Sequence, residues 1–201
     1  MKKRMILLGF TILLLLLTGC NPTSTAPKTL SEEELLAKYG LTGMSIKEMM
    51  AYLEESVDDT DAFNASVHPT YLELTDKASE TVIDLPIEDG FYLSVAPYIE
   101  ETHECYFHNL ATCKGELAHV TVHVTFTETD GTVLVDEDLQ TYQNGFFAIW
   151  LPLDDEGLLE ITYISEDGLT YFGSEEITTY DDPVEDPTCI TTIQLIAPQP
   201  Y

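Results

Sequence analysis

The chain has 201 residues, of which 44% are apolar and 10% aromatic, a composition that can build one or two packed domains. It carries 36 acidic residues against eight basic ones, and its formal net charge is −28. Phosphate recognition needs basic side chains, so this composition argues against nucleic-acid binding and indicates a solvated acidic surface.

The first 19 residues have the organisation of an export signal. A basic start over residues 2–4 precedes an apolar run over residues 6–17, which is shorter than the roughly 20 residues that a membrane span needs. The sequence Leu-Thr-Gly-Cys over residues 17–20 resembles the site at which bacterial lipoprotein precursors are lipidated and cut. We therefore expect residues 1–19 to be a lipoprotein signal peptide, and Cys20 to anchor the protein by lipid to the outer face of the bacterial cytoplasmic membrane.

The mature chain begins with a polar tether. Removal of the signal peptide leaves five lysines, no arginine and 36 acidic residues, a formal charge of −31. Residues 20–29 are polar and contain prolines, a composition typical of a flexible linker. We expect the folded part to begin near residue 30.

Two helix starts follow the tether. Ser31 with Glu34, and Ser45 with Glu48, match the capping box, in which the hydroxyl and the carboxylate each accept a backbone amide of the other residue. Gly40 stands where the first helix needs a C-terminal cap.

The second helix is predicted over residues 46–55. Methionine thioethers can bind Cu(I), so Met44, Met49 and Met50 are candidate ligands. Core packing is the better interpretation, because four apolar residues fall on one face at helical spacing. They are Ile46, Met49, Met50 and Leu53.

From residue 71 onward the apolar period changes to two, which indicates strands. Strands are predicted over 71–74, 82–85, 91–99, 118–126, 133–135, 146–151, 158–164 and 190–196. The clearest is 118–126, where apolar residues alternate with His and Thr, and Asp130-Gly131 then forms a hairpin turn. The pattern predicts an α+β protein with a small N-terminal helical and mixed domain over 30–85, a candidate for dimerisation, and an antiparallel β-sandwich-like domain over 86–201.

The mature chain has three cysteines, Cys105, Cys113 and Cys189. An exported protein with an odd number of cysteines keeps at least one free sulfur, which indicates metal binding, redox chemistry or a partner. On a strand, Cys189 would share a face with Ile193 and Leu195, so we expect its thiol at the edge of the core.

Two interpretations of the sulfurs remain open from the residues alone. Three thiolates suit trigonal Cu(I), whereas Zn²⁺ would need a fourth ligand such as His103 or His108. The other interpretation is a Cys105–Cys113 disulfide, with Cys189 left as a buried thiol. His103 is the preferred histidine ligand, because it lies two residues from Cys105. On a strand these two residues would share a face about 7 Å apart.

The other histidines are not expected to bind metal. His119 and His123 would be about 13 Å apart on an extended strand, which suits surface residues, and His68 is predicted to lie in a loop.

Two further classes of function are open. A thiol-disulfide redox protein could use the same sulfurs, but no Cys-x-x-Cys occurs and no helix begins beside a cysteine. A structural or adhesin-like surface module would explain a β-sandwich and a lipid anchor, but not three unpaired sulfurs. Hydrolase and phosphate-binding motifs do not occur, so we expect no enzyme.

The residues around the sulfurs carry a family resemblance. Segments 91–98, 105–113, 144–152 and 187–192 resemble the CueP family of copper-binding proteins of the bacterial cell envelope, and the match covers most of residues 60–196. The resemblance favours metal over a disulfide.

The resemblance implies a two-domain protein that holds copper through Cys105, Cys113 and Cys189, with a nearby histidine as a candidate further ligand. Such a protein would sequester or buffer envelope copper, or hand it to a client metalloprotein. The number of sulfurs favours Cu(I), with Zn²⁺ as the weaker alternative, and a Cu(II)-reducing activity stays open.

Overall fold

The structure is a computed structural model that describes residues 28–55, 62–88, 90–180 and 186–198. The predicted signal peptide, Cys20 and most of the predicted tether lie outside the described residues. Within the described part, the helices are too short to be candidates for a membrane span.

The described residues form two helices and ten strands. The helices are α1 (Glu32–Lys38) and α2 (Ile46–Glu55). The strands are β1 (Phe63–Val67), β2 (Tyr71–Asp76), β3 (Thr81–Pro86), β4 (Phe91–Val95), β5 (Thr121–Glu128), β6 (Val133–Gln140), β7 (Phe147–Leu151), β8 (Glu156–Ile164), β9 (Thr170–Thr178) and β10 (Cys189–Ile190).

Both predicted helix starts are confirmed. The Ser31 hydroxyl accepts the Glu34 amide at 3.2 Å, and the Glu34 carboxylate accepts the Ser31 amide at 2.9 Å. Ser45 and Glu48 make the same pair of contacts before α2. Gly40 follows α1 with φ +73°, the left-handed conformation that a glycine adopts without strain. The side chains of the two serines and the two glutamates therefore satisfy backbone amides that the helices leave unpaired.

The apolar face of α2 packs into the core, as predicted. Met49, Met50 and Leu53 are buried, and Ile46 and Met44 pack against the same cluster.

The strands form three sheets, with the orders β1-β2-β3, β10-β4-β7 and β6-β5-β8-β9. The main core lies between the second and third sheets, where alternate residues of β4, β5, β7 and β8 meet. Phe91, Leu93 and Val95 face Val122 and its neighbours on β5 in this cluster. The α+β class and the sandwich-like packing are thus confirmed.

Strand β4 is buried on both faces. Its odd-numbered residues enter the main core, whereas Tyr92 joins a second cluster with Leu35, Leu74 and Leu110. This second cluster lies among the helices and the first sheet, and it takes in residues from both sides of position 85. The strand therefore packs against a layer on either side.

The structure differs from the predicted strands in a few places. Strands β1 and β9 were not predicted, and β5 begins at Thr121 because His119 has a positive φ of 56°, which interrupts the extended chain. The predicted strand over 190–196 is wrong beyond Ile190, since the later residues make only isolated bridges within the described part. Among the named strand pairs, β10–β4 alone is parallel.

A buried carboxylate fixes α1 to the first sheet. Asp76 accepts hydrogen bonds from Lys38 Nζ at 2.6 Å, from Tyr39 at 3.1 Å and from Ser79 at 2.8 Å. Burial alone would raise the pKa of Asp76, but these hydrogen bonds and one from the Ala78 amide outweigh it and lower the pKa to about 2.

We expect this carboxylate to make stability depend on acid pH. A depressed pKa contributes stability that is present above the ordinary value of 3.8 and is lost as the pH falls towards 2. At neutral pH the free energy of unfolding of Asp76→Asn should therefore be lower than that of wild type. It should also change less than the wild-type value as the pH falls from 3.8 towards 2. Urea unfolding at several pH values measures the effect, with the exposed Asp84→Asn as control. Parallel profiles for wild type and Asp76→Asn would contradict the assignment.

Candidate metal centre

Cys105 lies in an irregular segment after β4 that is fastened to the chain around β10. The Thr102 hydroxyl donates to the Thr191 carbonyl at 2.6 Å, and the Thr191 hydroxyl donates to the His103 carbonyl at 2.7 Å. The Cys189 amide donates to the Tyr106 carbonyl at 3.1 Å. Two cysteines that are 84 residues apart in sequence are thus brought side by side.

Thr188 positions both Cys189 and His108. Its hydroxyl is buried, donates to the Val67 carbonyl at 2.6 Å and accepts the His108 amide at 3.1 Å. The Val67 amide donates to the His108 carbonyl at 2.8 Å. The threonine of the Pro-Thr-Cys motif therefore joins β1, the His108 segment and β10 without contributing a ligand itself.

Cys113 is held by a turn that begins at Asn109. The Cys113 amide donates to the Asn109 carbonyl at 3.0 Å, and the Asn109 amide donates to Cys113 Sγ at 3.4 Å. Two residues later, Gly115 meets Gly145 so closely that a Cβ on Gly115 would lie 2.8 Å from the Gly145 carbonyl oxygen. Only glycine permits this approach, which holds the Cys113 loop against the chain before β7.

The four donors Cys105, His108, Cys113 and Cys189 come together at one place. Their ligand atoms all lie within 4.8 Å of one another. Sγ of Cys105 is 3.6 Å from Sγ of Cys113, and Sγ of Cys189 is 3.7 Å from Nδ1 of His108. Cys189 and His108 are buried, whereas Cys105 and Cys113 are half-buried. The three cysteines that the sequence favoured thus form one cluster.

In this structure Cys105 and Cys189 are joined by a disulfide, and Cys113 is free. The alternative drawn from the sequence, a Cys105–Cys113 disulfide with Cys189 free, is therefore not the pairing observed. Cys105 and Cys113 are close in sequence, but the hydrogen bond from the Cys189 amide to the Tyr106 carbonyl, at 3.1 Å, brings Cys189 beside Cys105.

Cys189 is buried, but not on the face predicted. Ile193 and Leu195 belong to the main core, whereas Cys189 packs with Ala96 and Phe146 in a small cluster against Cys105 and Cys113. The prediction assumed a strand through all three positions, and the strand ends at Ile190.

His108 is fully buried beside the carboxylate of Glu54 from α2. Nε2 of His108 lies 3.0 Å from Oε1 of Glu54, an ion pair rather than an aligned hydrogen bond. Burial alone would lower the pKa of His108, but Glu54 and then Cys113 outweigh it and raise the pKa to about 9. Glu54 thus favours the protonated form of the ring, and Nδ1 must be free of its proton to bind a metal ion.

Glu54 is itself held by polar groups from other parts of the fold. Oε2 accepts the Asn144 side-chain amide at 2.6 Å, and Oε1 accepts the hydroxyls of Tyr92 at 3.2 Å and Ser94 at 3.4 Å. A carboxylate on a metal-binding histidine is the usual means of orienting the ring. The sequence analysis missed Glu54, although its position four residues after the buried Met50 puts a carboxylate on the apolar face of α2.

The other histidines lie outside the cluster. His103, which the sequence favoured over His108, lines the clefts beside Cys113 and Cys105, and its buried Nε2 has no hydrogen-bond partner among the described residues. His119 and His123 are exposed, as predicted, and His123 lies between two carboxylates. His68 stacks on Tyr71.

Three sulfurs and an imidazole gathered within a mostly antiparallel β protein form a group that could hold a soft metal ion. The comparisons agree. A family model described as "Periplasmic copper-binding protein CueP" matches residues 48–194. The chain belongs to the CueP family of periplasmic copper-binding proteins.

A solved structure supports the same assignment. The "Crystal Structure of S.CueP" superposes on this chain with a TM-score of 0.74 and 34% sequence identity, and the match covers 84% of this chain and 99% of the other. No curated protein matches the sequence. The resemblance stated from the sequence is therefore confirmed.

Proposed function

We propose that the reduced protein binds one Cu(I) ion through the thiolates of Cys105, Cys113 and Cys189, with His108 as the neighbouring nitrogen donor. The observation that carries the proposal is the spacing of these four donors, all within 4.8 Å. Three sulfurs that surround one ion at about 2.3 Å are about 4 Å apart. The cluster is thus of the right size to bind one ion after small adjustments.

The choice of copper rests on the family more than on the number of donors. From the sequence, three thiolates alone favoured Cu(I), but His108 adds a fourth donor that would also complete a tetrahedral Zn²⁺ site. Membership of a copper-binding family supports copper. His103 stays a ligand candidate from the sequence, outside the group that the structure brings together.

Copper binding requires reduction of the Cys105–Cys189 disulfide, because only thiolates are strong ligands for Cu(I). Cys105 and Cys113 are half-buried and line neighbouring clefts, so an ion or a second thiol can reach the site from outside. This access supports a role in buffering copper or in handing it to a client metalloprotein.

The test is a titration of the reduced protein with Cu(I) against a competing chelator, with a parallel titration with Zn²⁺. We expect one Cu(I) per chain, and all three cysteines should become protected from alkylation. Alkylation that copper leaves unchanged, together with an unchanged melting temperature, would refute copper binding. Tighter binding of Zn²⁺ than of Cu(I) in cell-like competition would refute the choice of metal.

We propose that a lipid on Cys20 anchors the protein to the outer face of the cytoplasmic membrane. The support is the sequence at residues 17–20, since a lipobox needs no tertiary structure. A dimer through residues 30–85 and the domain boundary near residue 85 stay predictions.

We expect Cys20→Ser to abolish lipidation, so that the precursor is left unprocessed or the protein is released from the membrane. Metabolic labelling with a fatty acid and membrane fractionation measure this. A soluble chain that begins after residue 20 should bind copper like the full protein. Loss of copper binding in that soluble chain would contradict the separation of anchor and site.

A further inference from the structure

We propose that this protein carries out an internal disulfide exchange in which Cys113 is the nucleophile and Cys189 is the leaving group. The thiolate of Cys113 attacks Sγ of Cys105, the Cys105–Cys189 bond breaks, and a Cys105–Cys113 bond forms. One sulfur–sulfur bond is broken and one is made, so no oxidant or reductant is needed. The negative charge moves from Cys113 to Cys189.

The first support is the position of the attacking sulfur. Sγ of Cys113 lies 3.6 Å from Sγ of Cys105, at about the contact distance of two sulfur atoms. The Asn109 amide donates to Sγ of Cys113 at 3.4 Å, which holds this sulfur beside the disulfide. A free thiol is thus in contact with one sulfur of the disulfide.

The second support is a hydrogen-bonding ring beside the leaving group. Nδ1 of His108 lies 3.7 Å from Sγ of Cys189, and the opposite ring nitrogen faces Glu54 at 3.0 Å. The ring can therefore donate a hydrogen bond from Nδ1 to the departing Cys189 sulfur, while Glu54 keeps the ring in place. A departing thiolate leaves faster when its charge is stabilised.

The third support is the difference in burial between Cys189 and the other two cysteines. Cys189 is 2% exposed, whereas Cys105 and Cys113 are half-buried. Cys113 lines a cleft of about 600 Å³, and Cys105 lines another of about 440 Å³. Exchange therefore moves the free thiol of the described residues between a cleft and the protein interior.

The experiment uses the oxidised mature protein without metal, with a chelator present, so its outcome does not depend on copper binding. Samples held at pH 8 are quenched in acid, which stops thiolate chemistry, and are digested with pepsin. Cleavage beside Tyr106, Phe107 or Leu110 separates Cys105 from Cys113, and mass spectrometry then identifies the linked peptides. We expect both the Cys105–Cys189 and the Cys105–Cys113 pairings.

Interconversion is tested on one isomer. A single pairing, purified in acid and returned to pH 8, should regenerate the mixture faster than the minutes to hours of uncatalysed rearrangement. Cys113→Ser should show the Cys105–Cys189 pairing only. His108→Gln should slow the approach to equilibrium by roughly tenfold or more, and the exposed His119→Gln should not. A purified isomer that persists unchanged at pH 8, while glutathione still reduces it, overturns the proposal.

Discussion

Replacement of any one of Cys105, Cys113 and Cys189 by serine is expected to weaken Cu(I) binding by orders of magnitude. Each substitution removes a strong soft ligand from a group of four donors that lie within 4.8 Å. The loss should exceed the roughly 10–100-fold that the removal of a second-layer partner costs. Competition of the reduced variants with a Cu(I) chelator measures the change in affinity.

The histidines supply the matched comparison. If copper is bound by three thiolates, His108→Ala should cost far less affinity than any cysteine change, whereas a four-coordinate site makes the costs comparable. His119→Ala, an exposed change of the same type, should leave the affinity unchanged. Full affinity in Cys189→Ser would show that the site is a local feature of the loop between Cys105 and Cys113, and that the folded cluster does not bind the ion.

Replacement of Glu54 by alanine is expected to be the most destabilising of the changes considered, at about 3–5 kcal/mol. Glu54 is 1% exposed, and its removal leaves the buried His108 without its counter-ion. The Asn144 amide and the Tyr92 hydroxyl also lose their acceptor. Urea unfolding of the reduced, metal-free protein measures the free energy of unfolding.

Two variants separate the loss of the buried charge from the general effect of shortening a glutamate in α2. Glu54→Gln keeps the shape and an acceptor oxygen, so its cost should be smaller than that of Glu54→Ala and should reflect the lost charge. Glu55→Ala, a truncation at the exposed next position of α2, should change the free energy of unfolding by less than about 0.5 kcal/mol. Equal effects of Glu54→Ala and Glu55→Ala would contradict the buried ion pair.

Most local structure was predictable because its causes are local. The capping boxes at Ser31 and Ser45 supply partners for amides within three residues, and both helices begin where these motifs place them. Alternation over residues 121–128 buries one face of β5, as the pattern indicates. The three mature cysteines and the histidines near them were likewise visible as candidates, because their chemistry does not depend on the fold.

The sequence by itself thus determined the helices, most strands, the β-rich class and the three sulfur donors. The tertiary structure alone decided which groups join them. His103 was preferred because a strand would put it on the face of Cys105, but that segment is irregular, and the Val67 and Thr188 contacts bring in His108 instead. The Cys105–Cys189 pairing and the role of Glu54 depend on contacts across 84 and 54 residues, which no local period encodes.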